Sequence, residues 1–443
     1  MPETTHTGAG LPTTKGAGLP TTNRHGAGLP DTIVIGAGLS GLVTAIRLAQ
    51  GGQKVTLFTF GIGGLQLSQG TIDILGYAPN WVQQPFKTIP SFVADHHEHP
   101  YGVIPHDKLR KSLTWLAELL PAFATGDPER NGAYPTALGA MRPTALVPAT
   151  MAAGALKKGT SYAIVGLRQL KDFSPHLVAA NLARTPLPTG GSVTATGYSI
   201  DLPAREGEAD SNALAYARAL DHPDYRARFA AAVDAAIGDE AVVGLPAILG
   251  LKDPAVLADV ATGIGRPVFE IPLPPPGVPG MRLNEALTRI AREAGVRIVL
   301  GSRITGYGSH STTLDHVTLH QAGREQAYSA ADFVYAPGGF ESGALRLDSH
   351  GTVTETVFGL PLRGLTETPL LTGDYHADQN LFRVGVSVDH TMRVLNDRAE
   401  PVYANLRVAG GIIQGAIRWR EKSGEGIALG SAYAAADSIL GRK

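Results

Sequence analysis

The chain has 443 residues, 43% hydrophobic and 17% charged, which gives room for one large or two ordinary globular domains. Lys plus Arg (38) and Asp plus Glu (39) nearly cancel, so there is no basic excess for nucleic acid or for a membrane surface. There is no cysteine, which excludes disulfides, a thiolate nucleophile and Cys-held iron–sulfur clusters within this chain; no run of about 18 apolar residues spans a bilayer.

Gly-Ala-Gly-Leu begins at Gly8, Gly16 and Gly26, each copy running into a proline (Pro12, Pro20, Pro30). None follows an apolar strand. Residues 1–30 read as a disordered repeat tail, too polar to bury a core and without the apolar segment of a signal peptide. The fourth copy differs. Ile33 to Ile35 enters Gly36-Ala37-Gly38-Leu39-Ser40-Gly41, an alanine-rich helix follows through Gln50, and a second apolar run covers Val55 to Phe58. Strand, glycine turn, helix and strand in that order begin a dinucleotide-type unit. Gly36 permits the tight turn, Gly38 lets a phosphate approach the backbone, and Gly41 lets helix and strand pack. The helix N-terminus then faces the phosphate with unpaired N–H groups.

Further along, leucines at 109, 113, 116, 119 and 120 predict an amphipathic helix over 107–124. In the section 160–270, strands are expected at 162–165, 193–200 and 242–251, and helices at 174–183, 211–221 and 223–237. The proline-rich stretch Pro272–Gly280 reads as a stiff linker, followed by a helix over 282–294. Strands are expected at 296–307, 313–321 and 327–330, and Asp332–Tyr335 ends in Gly338-Gly339. Near the C-terminus, Gly410-Gly411 and the Gly424, Gly426 pair read as glycine loops ahead of a last helix, with N–H groups aimed at a cofactor. The fold class is therefore α/β: a Rossmann-like, discontinuous cofactor domain (31–150 and 275–443) with an inserted α/β cap (151–274). A pocket is expected between the two.

The segments Asp31–Gly41, Ser68–Leu75, His99–Tyr101, Val165–Phe173 with His176-Leu177, Pro275–Leu283, Ala336–Ala344 and Thr391–Arg393 together resemble the B subunit family of anaerobic glycerol-3-phosphate dehydrogenase, in order along almost the whole chain. The resemblance implies a flavoprotein carrying FMN, with FAD as the alternative. Its implied partners are an FAD-bearing A subunit and an iron–sulfur C subunit that reaches the membrane. The reaction implied is oxidation of sn-glycerol 3-phosphate to dihydroxyacetone phosphate with electrons passed to quinone, by a cytoplasmic protein peripheral to the inner face of the membrane. Two departures stand out. FAD and NAD proteins usually carry Asp or Glu at the end of the second strand for the adenosine ribose, whereas this chain has Thr59. The C-terminal loop, Cys- and Gly-rich in the family pattern, is here Ile412–Arg420 and Ser423–Gly426.

Oxidising a secondary alcohol requires a hydride acceptor, a base for the hydroxyl proton and cations for the phosphate. Histidine suits the base and arginine the phosphate. His99 and His176 are the base candidates and Arg282 and Arg393 the phosphate candidates; each has a structural alternative as an ordinary packed or surface residue. Ser68, Gln69, Gly70 and Thr71 are expected along the flavin ring. His96-His97-x-His99 lacks the spacing of a helical metal site, so no metal is expected. A stand-alone FAD oxidoreductase of the fumarate reductase or ketosteroid dehydrogenase type, and a non-catalytic flavin scaffold, are the competing readings.

Overall fold

The structure is a computed structural model that describes residues 29–321, 323–366 and 368–442; residues 1–28 of the expected repeat tail lie outside them. The first strand, β1 (Thr32–Ile35), is buried along its whole length, as a central parallel strand must be. It turns at Gly36 into helix α1 (Leu39–Gln50), and β2 (Val55–Phe58) returns beside it. These strands belong to a five-stranded parallel sheet, in spatial order Arg297–Val299, β2, β1, Asp332–Tyr335 and Leu406–Val408. Counted along the chain this is third, second, first, fourth, fifth. The order reverses between β1 and Asp332–Tyr335, the point where doubly wound sheets open a crevice beyond the strand ends.

The C-terminal helix Gly424–Leu440 packs on α1 and on the helix His106–Leu119. Small buried residues, Ala432, Ala434, Ala435 and Ala436, let the helices approach closely. An antiparallel meander, Arg303–His310, Thr313–Gln321 and Arg324–Ser329, lies between the third and fourth strands. A second parallel sheet, in the order Val268–Ile271, Val242–Pro246, Ser161–Leu167, Thr194–Ile200, has its own core, drawn from Leu156 to Val278. The first core draws on Ile33 to Leu146 and on Leu283 to Ile439.

Several elements differ from the sequence expectation. The helix expected to reach 124 stops at Leu119, since Pro121 disfavours helical backbone at Leu120. The run 296–307 is two strands in different sheets, broken where Gly301 takes φ +70°. The linker's last residues, Val278-Pro279-Gly280, form the first turn of the helix Val278–Glu293, where proline costs no hydrogen bond. The apolar run 242–251 is a strand only to Pro246. Helices Pro85–Asp95 and Val256–Ile264 and the strand Val268–Ile271 were not anticipated.

Candidate functional site: glycine turns and unmet polar groups at the strand ends

The glycine turn after β1 sits where the sheet order reverses. Gly36 has φ +107°, and a Cβ there would overlap the carbonyl of Ala336, the residue that follows the fourth strand. A Cβ on Gly41 would overlap Gly36 O. Gly38 is different: its backbone is extended and nothing lies within 4 Å of where its Cβ would be. The open side therefore faces the N-terminus of α1, which has no side-chain cap and no acid in its first turn. Its leading N–H groups are free for an anion, and the helix dipole favours one.

Other segments close on the same place. Ala336 N–H bonds Ile35 O at 2.8 Å, leading into Gly338 and Gly339. Gly410 lies against Ser40, and its N–H is held by Ser431 Oγ at 2.9 Å. Gly339 faces Gly411, and the Arg418 guanidinium crosses both, paired with Glu341 at 3.0 Å. Gly63, not anticipated from the sequence, lies against the peptide between Ala37 and Gly38.

From Gly63 the chain runs to Ser68, whose Oγ accepts from Gly70 N–H at 3.2 Å. Gly70 rests on Pro279, and Gly280 rests on Ser68, so the start of the helix Val278–Glu293 clamps the segment. Thr71 is buried. Gln69 Oε1 and Gln414 Oε1 are both buried without a hydrogen-bond partner, an uncommon and costly state for an amide oxygen. Thr59, at the end of β2, donates its hydroxyl to Gly61 O at 2.5 Å.

Of the C-terminal glycines expected in loops, Gly410 and Gly411 lie in a turn, whereas Gly424 and Gly426 form the first turn of the helix itself. Gly426 is small because Tyr101 Oη and Ile74 press on it. Its N–H donates to Asp73 O at 2.9 Å. Tyr101 Oη donates to Ile74 O, and Ser423 O lies within 3.4 Å of it.

The four residues nominated for chemistry have partners within the chain. His99 is 1% exposed. Its Nδ1 accepts from Tyr101 N–H at 3.1 Å, so Nε2 carries the hydrogen and donates to Glu421 Oε2, also at 3.1 Å. Neither nitrogen is left for a substrate. Burial opposes ionisation of Glu421, but His99, Ile417 N–H and Ser423 hold its carboxyl below the ordinary glutamate range. His176 is exposed at the start of a helix in the second sheet's unit, 3.5 Å from Ser199 Oγ. Arg282 forks onto Glu270, at 2.9 and 2.6 Å, and its Nε donates to Gly250 O, which removes the fork a phosphate would need. Arg393 pairs with Asp389 at 2.8 Å. It bridges to Arg407 in the last strand, whose side chain reaches back to Asp332 at the opposite end of the sheet.

Arg418 lies against Gly339 and Gly411, Gln69 stands beside Gly70, and Asp73, paired with Arg142, follows on the same segment. Asp73 lies in a segment singled out from the sequence, but nothing local signals its partner Arg142. A separate cavity of about 290 Å³ lies between the Gly132–Pro135 strand and Leu187–Thr189; its lining includes Trp81, Asn131 and Tyr134 and none of the glycine turns.

Comparison with known proteins gives the family. Residues 31–427 match the family described as FAD binding domain. The probable B subunit of anaerobic glycerol-3-phosphate dehydrogenase from Halobacterium salinarum is 30% identical over 408 residues, covering 90% of this chain and 94% of that protein. The B subunit of the same enzyme from Pectobacterium atrosepticum is 29% identical over 418 residues, covering 91% and 96%. Among solved structures, 3-ketosteroid delta1-dehydrogenase from Sterolibacterium denitrificans aligns with a TM-score of 0.46 and 11% identity, covering 94% of this chain and 100% of that chain. The chain is thus a flavoprotein of the oxidoreductase class that belongs to the FAD binding domain family and, within it, to the B subunit family of anaerobic glycerol-3-phosphate dehydrogenase.

Proposed function

We propose that the chain is the flavin-binding B subunit of a respiratory glycerol-3-phosphate dehydrogenase. In this reading it works with an FAD-bearing A subunit and an iron–sulfur C subunit. The complex oxidises sn-glycerol 3-phosphate to dihydroxyacetone phosphate and passes the electrons to quinone at the inner face of the cell membrane. No helix among the described residues is long and apolar enough to cross a membrane, and the membrane contact is assigned to a partner.

The observation that carries the reading is the meeting of three glycine turns and an uncapped helix N-terminus at the order reversal of the sheet. The residues present fit a flavin. Gly38 and the first turn of α1 suit its phosphate. The orphaned oxygens of Gln69 and Gln414 suit the one N–H donor of an oxidised flavin ring. A bound flavin supplies a two-electron hydride acceptor. Arg282 and Arg393 are committed to Glu270 and Asp389; Arg418, which lies against Gly339 and Gly411, is the cation nearest the glycine turns, and a substrate anion would compete there with Glu341. The family name speaks for FAD, but the Thr59 end favours FMN: no acid stands there for an adenosine ribose, and the threonine proton is committed to Gly61 O.

A second reading has its own support. With His99, Arg282 and Arg393 tied into structural bonds, the protein would hold the flavin as an electron relay while a partner oxidises the substrate. Chromatography of the flavin released on denaturation tests the assignment: FMN is expected, FAD overturns the mononucleotide, and no flavin overturns the whole reading. Anaerobic addition of glycerol 3-phosphate separates the two roles. Bleaching of the flavin in the isolated chain supports oxidation here, and bleaching only in the assembled complex supports the relay.

A further inference from the structure

Arg418 opens the one-turn helix Arg418–Glu421, and its guanidinium lies on the glycine turns. A Cβ on Gly411 would come within 2.2 Å of its Nη1, and a Cβ on Gly339 within 3.1 Å of its Nη2. Gly410 lies against Ser40 in the first turn of α1, so adjacent glycines touch the cation and the helix end that favours an anion. Among the described residues only the Nη2 arm has a hydrogen-bond partner, Glu341 Oε1 at 3.0 Å. Other arginines are more fully engaged. Arg282 forks onto Glu270, and Arg420, on the same turn as Arg418, holds Asp378 with one arm and His376 O with the other. Glu341 belongs to the short turn Phe340–Ser342 beyond Gly339, and among the described residues its carboxylate has no partner but Arg418. The two side chains are 30% and 59% exposed. A pair so open is weak and yields to an anion of higher charge.

The backbone beneath Arg418 is held far more firmly. Glu421, the last residue of the turn, is buried. Its Oε1 accepts the Ile417 N–H at 2.8 Å, and its Oε2 accepts the Ser423 hydroxyl at 2.8 Å and the His99 Nε2–H at 3.1 Å. Its carbonyl accepts the N–H groups of Gly76 and Tyr77, at 2.8 and 3.0 Å. The residue before Arg418 and the residue that ends its turn are thus fixed to one buried carboxylate. The guanidinium can exchange its counter-ion while the turn stays in place. A fixed cation with a weakly held partner is preorganised for an incoming anion.

We propose that Arg418 recognises the phosphate monoester of the alcohol substrate, and that Glu341 is its resident competitor, displaced when the ester binds and thereby setting the charge a ligand must bring. The substrate class rests on the functional reading above; the exchange of one anion for another does not. The planar fork matches two phosphate oxygens at once. A phosphate monoester carries about −1.5 to −2 at pH 7, more than the single charge of the carboxylate it replaces. A monocarboxylate has no such advantage over Glu341, and a neutral polyol has no charge to offer.

Calorimetric titration of the full chain as purified, with glycerol 3-phosphate, inorganic phosphate, acetate and glycerol, tests this without turnover. Wild type is expected to bind both phosphates and to bind acetate and glycerol more weakly. Arg418→Ala should weaken both phosphates by about tenfold or more, with Arg418→Lys keeping part of the affinity. Glu341→Gln should tighten both phosphates by about two- to fivefold and narrow the gap to acetate. Both positions are part-exposed, so the variants are expected to fold. Three results overturn the proposal: no binding of glycerol 3-phosphate to wild type, affinity unchanged in Arg418→Ala, or weaker phosphate binding in Glu341→Gln, which would make the acid part of the site. The flavin's own phosphate is another source of the same chemistry, so FMN and riboflavin are compared as well. A loss of FMN relative to riboflavin in Arg418→Ala, with glycerol 3-phosphate affinity unchanged, assigns the fork to the cofactor and also overturns the proposal. Bound flavin without phosphate binding sinks this proposal alone, whereas Arg418-dependent phosphate binding in a chain that holds no flavin leaves the exchange standing and sinks the functional reading.

Discussion

At the carboxyl end of the five-stranded sheet, β1 and the Asp332–Tyr335 strand run into glycine, and the nearby polar atoms of Gln69, Asp73 and Gln414 have no partner. At the carboxyl end of the four-stranded sheet the side chains are already matched. Glu270 is 1% exposed, takes both arms of Arg282, and accepts the Leu249 N–H at 2.6 Å. Asp221 accepts the N–H groups of Leu251, Lys252 and Asp253. Both sheets are parallel, and both reverse strand order at an interior strand, so topology alone offers two crevices. The difference lies in satisfaction. Among the described residues no unpartnered buried side-chain atom falls within 156–278; three belong to Gln69, Asp73 and Gln414, and the others to Trp81 and Asn131, which line the separate cavity, and to Thr144. A native fold matches its buried polar groups, and among the described residues the unit of the second sheet does so throughout.

The contrast predicts separable phenotypes. Glu270→Ala should have the largest effect, stranding the Arg282 cation, whose side chain is only 13% exposed, at a cost of about 3 kcal/mol. Denaturant unfolding checks it, and flavin retained per folded chain is the expected companion result. Severe flavin loss from folded protein would erase the distinction between the sheets. Gly38→Ala should do the reverse. The position is extended and open, so stability holds or rises by about 0.4–1 kcal/mol. Flavin affinity should weaken tenfold or more, or ~1.4 kcal/mol, as fluorescence titration would show; unchanged affinity would move the phosphate away from α1. Arg393→Ala should be smallest. Its pair with Asp389 is part-exposed, with side-chain exposures of 34% and 15%, so under about 1 kcal/mol is at stake. Glycerol 3-phosphate should still bleach the flavin of the assembled complex, and loss of bleaching would restore the original assignment.

The parts that sequence reading reached were those written in local pattern. β1, α1 and β2 follow from apolar runs around a glycine spacing, and Asp332–Tyr335 from an apolar run ending in Gly-Gly. The reversal of strand order was out of reach because pairing partners leave no trace in spacing. Arg282 illustrates the cost. After a proline stretch it looked free to enter a crevice, but Glu270 and Gly250 O take its donors. His99 was singled out by its segment, yet the acid that fixes its tautomer, Glu421, lies far along the chain. The meeting of Asp73 with the Glu425 turn is equally nonlocal. Gly301 could be read only once its positive φ was seen to separate two sheets.

The insertion of one sheet's core between β2 and the Arg297–Val299 strand also orders events in time. Gly36 and Gly41 leave the ribosome early, but the residues that complete their surroundings, Ala336 and Gly410, follow only after the whole intervening unit. Pairings so distant in sequence form late and slowly. The first-made turn thus waits for the last-made strand: in a nascent chain stalled before Leu406, the turn after β1 lacks the neighbour that Gly410 supplies.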